Sequence, residues 1–238
     1  MVSTANGRSV SSRIDPRLIM APMKNPISTT VIALLGCLML LAGCRSTYYA
    51  AYEKFGVHKR DLLKKEVAKA RDDQAQAQEQ FKDAMTRLKE ITHFTGGDLE
   101  KNYNALKDDY DGCVTRADSV RKRVREVETV STDLFAEWEK EIGQIGTPTL
   151  RDASRQQLAT TRQRYQALHG ALLNAEQSMD PVLRQFNDYV LYLKHNLNAQ
   201  AIASLRTEAT SIQTEISALL ERMNQSIARA DEFIKSMQ

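Results

Sequence analysis

Apolar residues recur along most of this chain at alternating steps of four and three, the spacing that lines up one face of a coiled-coil helix. The first such stripe reads Leu63, Val67, Ala70, Gln74, Ala77, Phe81, Ala84, Leu88 and Ile91. It predicts a helix over residues 48–94, stopped by Thr95-Gly96-Gly97-Asp98, where glycine ends one helix and an acidic residue caps the next. A second stripe runs through Leu99, Tyr103, Leu106, Tyr110, Cys113, Ala117, Val120, Val124, Val127, Leu134 and Trp138, with Ser131 as its one interruption. It predicts a helix over residues 99–142.

Gly143-Gln144-Ile145-Gly146-Thr147-Pro148 then reads as a loop. The next helix starts either at Thr149 with Asp152 in a Thr-x-x-Asp signal, or with Thr147 as cap and Pro148 as the first helical residue. Its stripe is Leu150, Leu158, Tyr165, Leu168, Leu172, Ala175 and Met179, and it crosses Asp180-Pro181 in phase through Val182, Phe186, Tyr189 and Leu193. A stripe that keeps its phase across a proline predicts a kinked but continuous helix. The break is placed instead at Lys194-His195-Asn196-Leu197-Asn198, whose asparagines suit a helix end and a new N-cap. Turning at 180–181 or running on as one long helix are the alternatives.

Folding at Gly96-Gly97 sets Phe81 against Tyr110, Leu88 against Tyr103, Ala77 against Cys113 and Ala70 against Val120. Folding at 194–198 sets Leu193 against Ala201, Phe186 against Ala209, Met179 against Ile216 and Tyr165 against Ala230. The four helices, 48–94, 99–142, 150–195 and 199–237, are of similar length. The fold class expected is therefore all-α, an elongated antiparallel four-helix bundle or coiled coil with up-down-up-down topology. At about 1.5 Å per residue its helices span on the order of 60 to 70 Å.

Composition changes this picture mainly at the N-terminus. Val31 to Cys44, VIALLGCLMLLAGC, is apolar but too short to span a bilayer, which takes about 20 residues. Leu41-Ala42-Gly43-Cys44 resembles the lipobox of bacterial lipoprotein signal peptides. The resemblance implies cleavage between Gly43 and Cys44 and lipidation of Cys44. Leu34-Leu35-Gly36-Cys37 is the weaker match, since cleavage there leaves an apolar mature end. The polar leader over 1–22 is too long for an ordinary basic region, whereas Met23-Lys24 makes a short one, so translation is expected to begin at Met23 or else Met20. The expected organisation is a leader over 1–22, a signal peptide over 23–43, a lipidated tether over 44–47 and a bundle domain over 48–238. Arg45, rather than Asp, follows the lipidated cysteine. By the sorting pattern of such lipoproteins this implies the outer membrane, facing the periplasm, with the inner membrane as the alternative.

The chain has 33 basic and 30 acidic residues, but residues 1–43 hold four basic residues and one acidic, leaving 29 of each beyond them. A balanced chain is not a general polyanion binder, and nucleic acid is excluded as an expected partner. With Cys44 acylated, Cys113 is the remaining thiol, on the apolar seam where a small core residue fits. His58, His93, His169 and His195 are scattered without metal-ligand spacing, and no phosphate loop, nucleophile elbow or paired-acid motif is present, so no metal, cofactor or catalytic residue is expected. Arg121-Lys122-Arg123 with Arg125 reads as a solvated face. Tyr48, Tyr49, Tyr52 and Phe55 suit either a membrane interface or the base of the core.

The segments Tyr48-Tyr49-Ala50-Ala51-Tyr52-Glu53-Lys54-Phe55-Gly56, Gly96-Gly97-Asp98-Leu99-Glu100 and Leu193-Lys194-His195-Asn196-Leu197-Asn198-Ala199-Gln200-Ala201-Ile202 resemble an uncharacterised family of Gram-negative helical lipoproteins, known only as a domain of unknown function. The resemblance implies a periplasm-facing lipoprotein and supplies no activity. With helix one tethered through Cys44, an even helix count puts His93, Gly96, Gly97, His195, Asn196 and Asn198 at the distal tip. The function expected is a non-enzymatic scaffold, spacer or adaptor, bound to the membrane through Cys44 and meeting an envelope protein or cell-wall partner at that tip. Regulation of an envelope enzyme or transporter, and then a lipid- or glycan-active enzyme, are the other classes; oligomeric state is open.

Overall fold

A computed structural model describes residues 58–93, 96 and 98–237. The chain divides into two units, residues 1–51 and 52–238, and all the described residues lie in the second. The lipobox, Cys44, the aromatic residues at 48, 49, 52 and 55, and Gly97 lie outside the described residues.

Four helices follow in order: α1 (Lys59–Thr92), α2 (Leu99–Ile142), α3 (Pro148–His195) and α4 (Ala199–Ser236). Their starts follow local rules. Asp98 accepts a 3.0 Å bond from Lys101 N, and Asn198 accepts one of 3.0 Å from Ala201 N, so each side chain satisfies an otherwise unpaired amide of the first turn. At α3 the proline start prevails over the Thr149 signal: Thr147 is the extended cap residue and Pro148 the first helical one. Pro181 lies inside α3, as the unbroken stripe requires.

Cross-helix contacts fix the topology. Lys59–Glu137 and Arg87–Asp109 run α1 against α2, and Arg121–Asp180 with Arg162–Glu139 run α2 against α3. The Tyr165–Phe233 ring pair and the Tyr189 hydroxyl on Glu208 O run α3 against α4. Arg60 on Met237 O and Arg206 on Thr92 O run α1 against α4. Every pairing is antiparallel, and helix packing closes the ring α1–α2–α3–α4. This is an up-down-up-down four-helix bundle.

The predicted stripes are its core. Leu63, Val67, Phe81, Ala84, Leu88 and Ile91 on α1 are wholly buried, as are Leu106, Cys113, Ala117, Val120 and Val127 on α2. Phe186 and Leu193 on α3 and Ile212, Ile216, Leu219 and Met223 on α4 complete it. Five expectations need correction, the first being Leu99, which opens α2 only half-buried. Leu150 is 61% exposed, because its stripe runs past the level at which burial of α3 begins, Leu158. Tyr110 and Trp138 are half-buried at the edge of the seam, where Trp138 Nε1 donates to Ser154 Oγ over 3.0 Å. Ser131 does not interrupt the core; it is buried, with its hydroxyl returned to Glu128 O at 2.9 Å.

The basic cluster divides. Lys122 and Arg125 are exposed, but Arg121 pairs with Asp118, Glu176 and Asp180, and Arg123 with Glu66, Asp73 and Glu126. These two arginines tie α2 to α3 and to α1, a structural use of the fork-shaped guanidinium.

Candidate partner-binding tip

The far end of the bundle is built from two helix termini and one complete turn. Thr92 ends α1 and is almost wholly buried. Its carbonyl, one of the four that a helix terminus leaves unpaired, accepts the Arg206 Nε–H of α4 at 2.7 Å. His93 caps α1 with its backbone amide on Lys89 O at 3.1 Å, and its Nδ1 lies 2.9 Å from the same carbonyl, which calls for the Nδ1–H tautomer. The ring is thus used to close its own helix.

The other turn is held in the same local fashion. Asn196 Nδ2 donates to Tyr192 O at 2.9 Å, and Asn198 N donates to Asn196 O at 2.9 Å. Asn198 then caps α4. Hydrogen-bonded caps and a tight turn fully account for Asn196 and Asn198. His195 is exposed at the end of α3, and Gly96 stands in open space, with nothing within 4 Å of where a side chain would start.

These residues do not form one level surface. Arg206 lies eight residues beyond Asn198 on α4, yet it reaches the end of α1. The α3–α4 turn therefore projects past the end of α1 by on the order of 10 Å. His195, Asn196 and Asn198 crown that projection, while His93 sits on the step below.

The sequence reading missed what surrounds them. Leu191 is 51% exposed, Tyr192 39% and Leu197 37%, and with Leu150 they are the large apolar side chains most open to solvent among the described residues. Three of those four flank one turn. The signal was present, since Leu191 and Tyr192 fall out of phase with the Tyr189–Leu193 stripe.

No three His, Cys, Asp or Glu side chains converge among the described residues in a way that would hold a metal ion. His169 stacks on Tyr165, ring centres 5.5 Å apart. Cys113 is buried and unpaired; its Sγ–H points to Gln80 O at 3.6 Å, and burial pushes the thiol pKa up, which makes it a poor nucleophile. No described helix is long and apolar enough to cross a membrane.

Comparison with known families decides the kinship. The model of the family described as "Protein of unknown function (DUF2959)" matches residues 48–237, which takes in all four helices. The chain belongs to the DUF2959 family. No curated protein matches it. The DUF2959 match spans Gly96-Gly97 and the projecting 193–202 turn as well as the helices, so the tip lies within the family domain. Neither this family of unknown function nor the helical fold gives a sign of catalysis.

Proposed function

We propose that this protein is a non-enzymatic, lipid-anchored bundle that works as an envelope scaffold, spacer or adaptor. It is held at the outer membrane through Cys44 and presents the α3–α4 turn to a protein or cell-wall partner. The observation that carries this reading is the exposure of Leu191, Tyr192 and Leu197 around a turn that projects beyond the end of α1. Apolar side chains left open beside hydrogen-bonded turn residues are the composition of a recognition surface, and loops on rigid scaffolds commonly carry recognition. Chain connectivity supports the polarity: α1 begins fifteen residues after Cys44, which favours a tether at the end holding Lys59. The described core is filled by side chains along its length, which suits a strut better than a substrate chamber.

The test is proximity labelling in cells from Gly96 and Asn198, with each turn replaced by a neutral linker of equal length. Partners lost on replacing 194–198 support the reading. Retention of every partner after both replacements refutes the tip, and membrane retention of Cys44→Ser refutes the anchor.

A further inference from the structure

Along the outer side of the α3–α4 pair, two open hollows share Ala167 and Arg229 and so form one continuous groove. Its floor on α3 is made of small side chains, Ala167, Gly170, Ala171, Asn174 and Ser178. Gly170 is the telling one. Glycine is the weakest helix former after proline, and in mid-helix it is costly against alanine. Gly112 on α2 has a reason within this chain, with Gln80 2.8 Å from where its Cβ would lie. Gly170 has nothing within 4 Å.

The groove is also charged. Arg164, Arg222, Arg229 and Lys235 line it and are all exposed, against one lining carboxylate, Glu232, which pairs with Arg229. Among the described residues no ion pair crosses from α3 to α4; Arg222 crosses with a hydrogen bond from its Nη1 to Ser178 Oγ at 2.9 Å, a neutral acceptor that leaves its charge uncompensated.

The same chain carries the complementary shape. The exposed edge of α1 runs Asp72, Gln76, Glu79, Asp83, Thr86 and Glu90 at steps of four, three, four, three and four. It is a straight ridge with four carboxylates and no cation in the row, flanked by Arg71, Lys82 and Arg87, which pair along α1 with Asp72, Glu79 and Glu90 and leave Asp83 the one ridge carboxylate outside an ion pair among the described residues. From Asp72 to Glu90 it measures about 27 Å, and the α3 side of the groove from Arg164 to Pro181 about 26 Å. The levels agree over the first half of the ridge. Arg71 bonds Asp231 at 3.0 Å and Gln78 bonds Asn224 at 2.6 Å, which sets the ridge from Asp72 to Glu79 beside the groove from Glu232 to Arg222.

We propose that the protein self-associates side by side, the acidic α1 ridge of one copy seating in the basic α3–α4 groove of the next. Copies standing with the same polarity bring Asp72 level with Arg229 and Glu79 level with Arg222. Because ridge and groove are different patches, the contact is head-to-tail and leaves a free ridge and a free groove, so association propagates into rings or rows. The partner is a second copy of this chain, and the surface is separate from the tip.

Sedimentation of the full chain in detergent tests this at low salt and at about 0.5 M salt, where charge pairs beyond the first few ångströms are screened. Concentration-dependent oligomers are expected at low salt, weakened at least tenfold at high salt. Arg222→Glu with Arg229→Glu, and separately Glu79→Lys with Asp83→Lys, each weaken association at least tenfold, and mixing the two variants restores it. Gly170→Leu fills open space, so it blocks association while the helical signal and thermal midpoint stay equal or rise. A chain that is monomeric throughout at low salt, or oligomers indifferent to both charge reversals, overturn the proposal.

Discussion

Arg206 on α4 donates its Nε–H to the carbonyl of Thr92, the last residue of α1, over 2.7 Å. One side chain of the last helix thereby closes the end of the first. The acceptor is buried and the guanidinium exposed, so the bond is charge-assisted but partly screened. Arg206→Met is expected to cost about 1 kcal/mol in chemical denaturation, through the unpaired carbonyl it leaves. Amide exchange in the last turn of α1 should quicken more than elsewhere.

Phe186 is wholly buried toward the C-terminal end of the α3 stripe. Phe186→Ala is expected to destabilise the bundle by about 3–5 kcal/mol, the lost transfer energy plus the cavity left behind. Denaturant unfolding measures this, and an effect under about 1 kcal/mol would mean that the core does not close there.

Gln74 is a polar side chain on an apolar stripe, wholly buried, with neither amide atom bonded to another protein group. Gln78, one turn on, does find partners, Asn224 and the carbonyl of Leu220. Gln74→Leu keeps the volume and removes the unsatisfied amide. It is expected to raise stability by about 1–3 kcal/mol, read from the denaturation midpoint.

Alkaline pH should loosen the fold. Burial raises the pKa of Cys113 above its ordinary 9.0 and those of Tyr165 and Tyr189 above 10.0. The folded state thus keeps protons that the unfolded chain releases. Stability is steady below about pH 9 and falls as pH rises through the unfolded values toward the higher folded ones. Thermal melts from pH 7 to 11 check this, and Cys113→Ala with Tyr165→Phe should flatten the decline.

Much of this fold is legible in the sequence because a heptad stripe is a property of one helix. The bounds of α2, the passage of α3 through Pro181 and the break at 194–198 all follow from stripe phase and capping residues. Burial, by contrast, needs a neighbour at the same height. Leu150 continues its stripe beyond the level where the packing of α3 begins, and no single-helix pattern marks that level. The tip was legible as two turns but not as a step, since the projection of the α3–α4 turn depends on the offset between α1 and α4 that the Arg206–Thr92 contact fixes. Arg121 and Arg123 read as a solvated run for the same reason: their acceptors lie on other helices.

The most direct test of the tip as the working end is site-specific photo-cross-linking in cells, with the probe at Leu197 and a control probe at Leu150, the exposed apolar residue at the other end. The expected result is a discrete adduct from Leu197, absent from Leu150, and lost on Leu191→Ser with Tyr192→Ser while the thermal midpoint of the protein is unchanged. Adducts that are the same from both ends, or that persist after both substitutions, would contradict it.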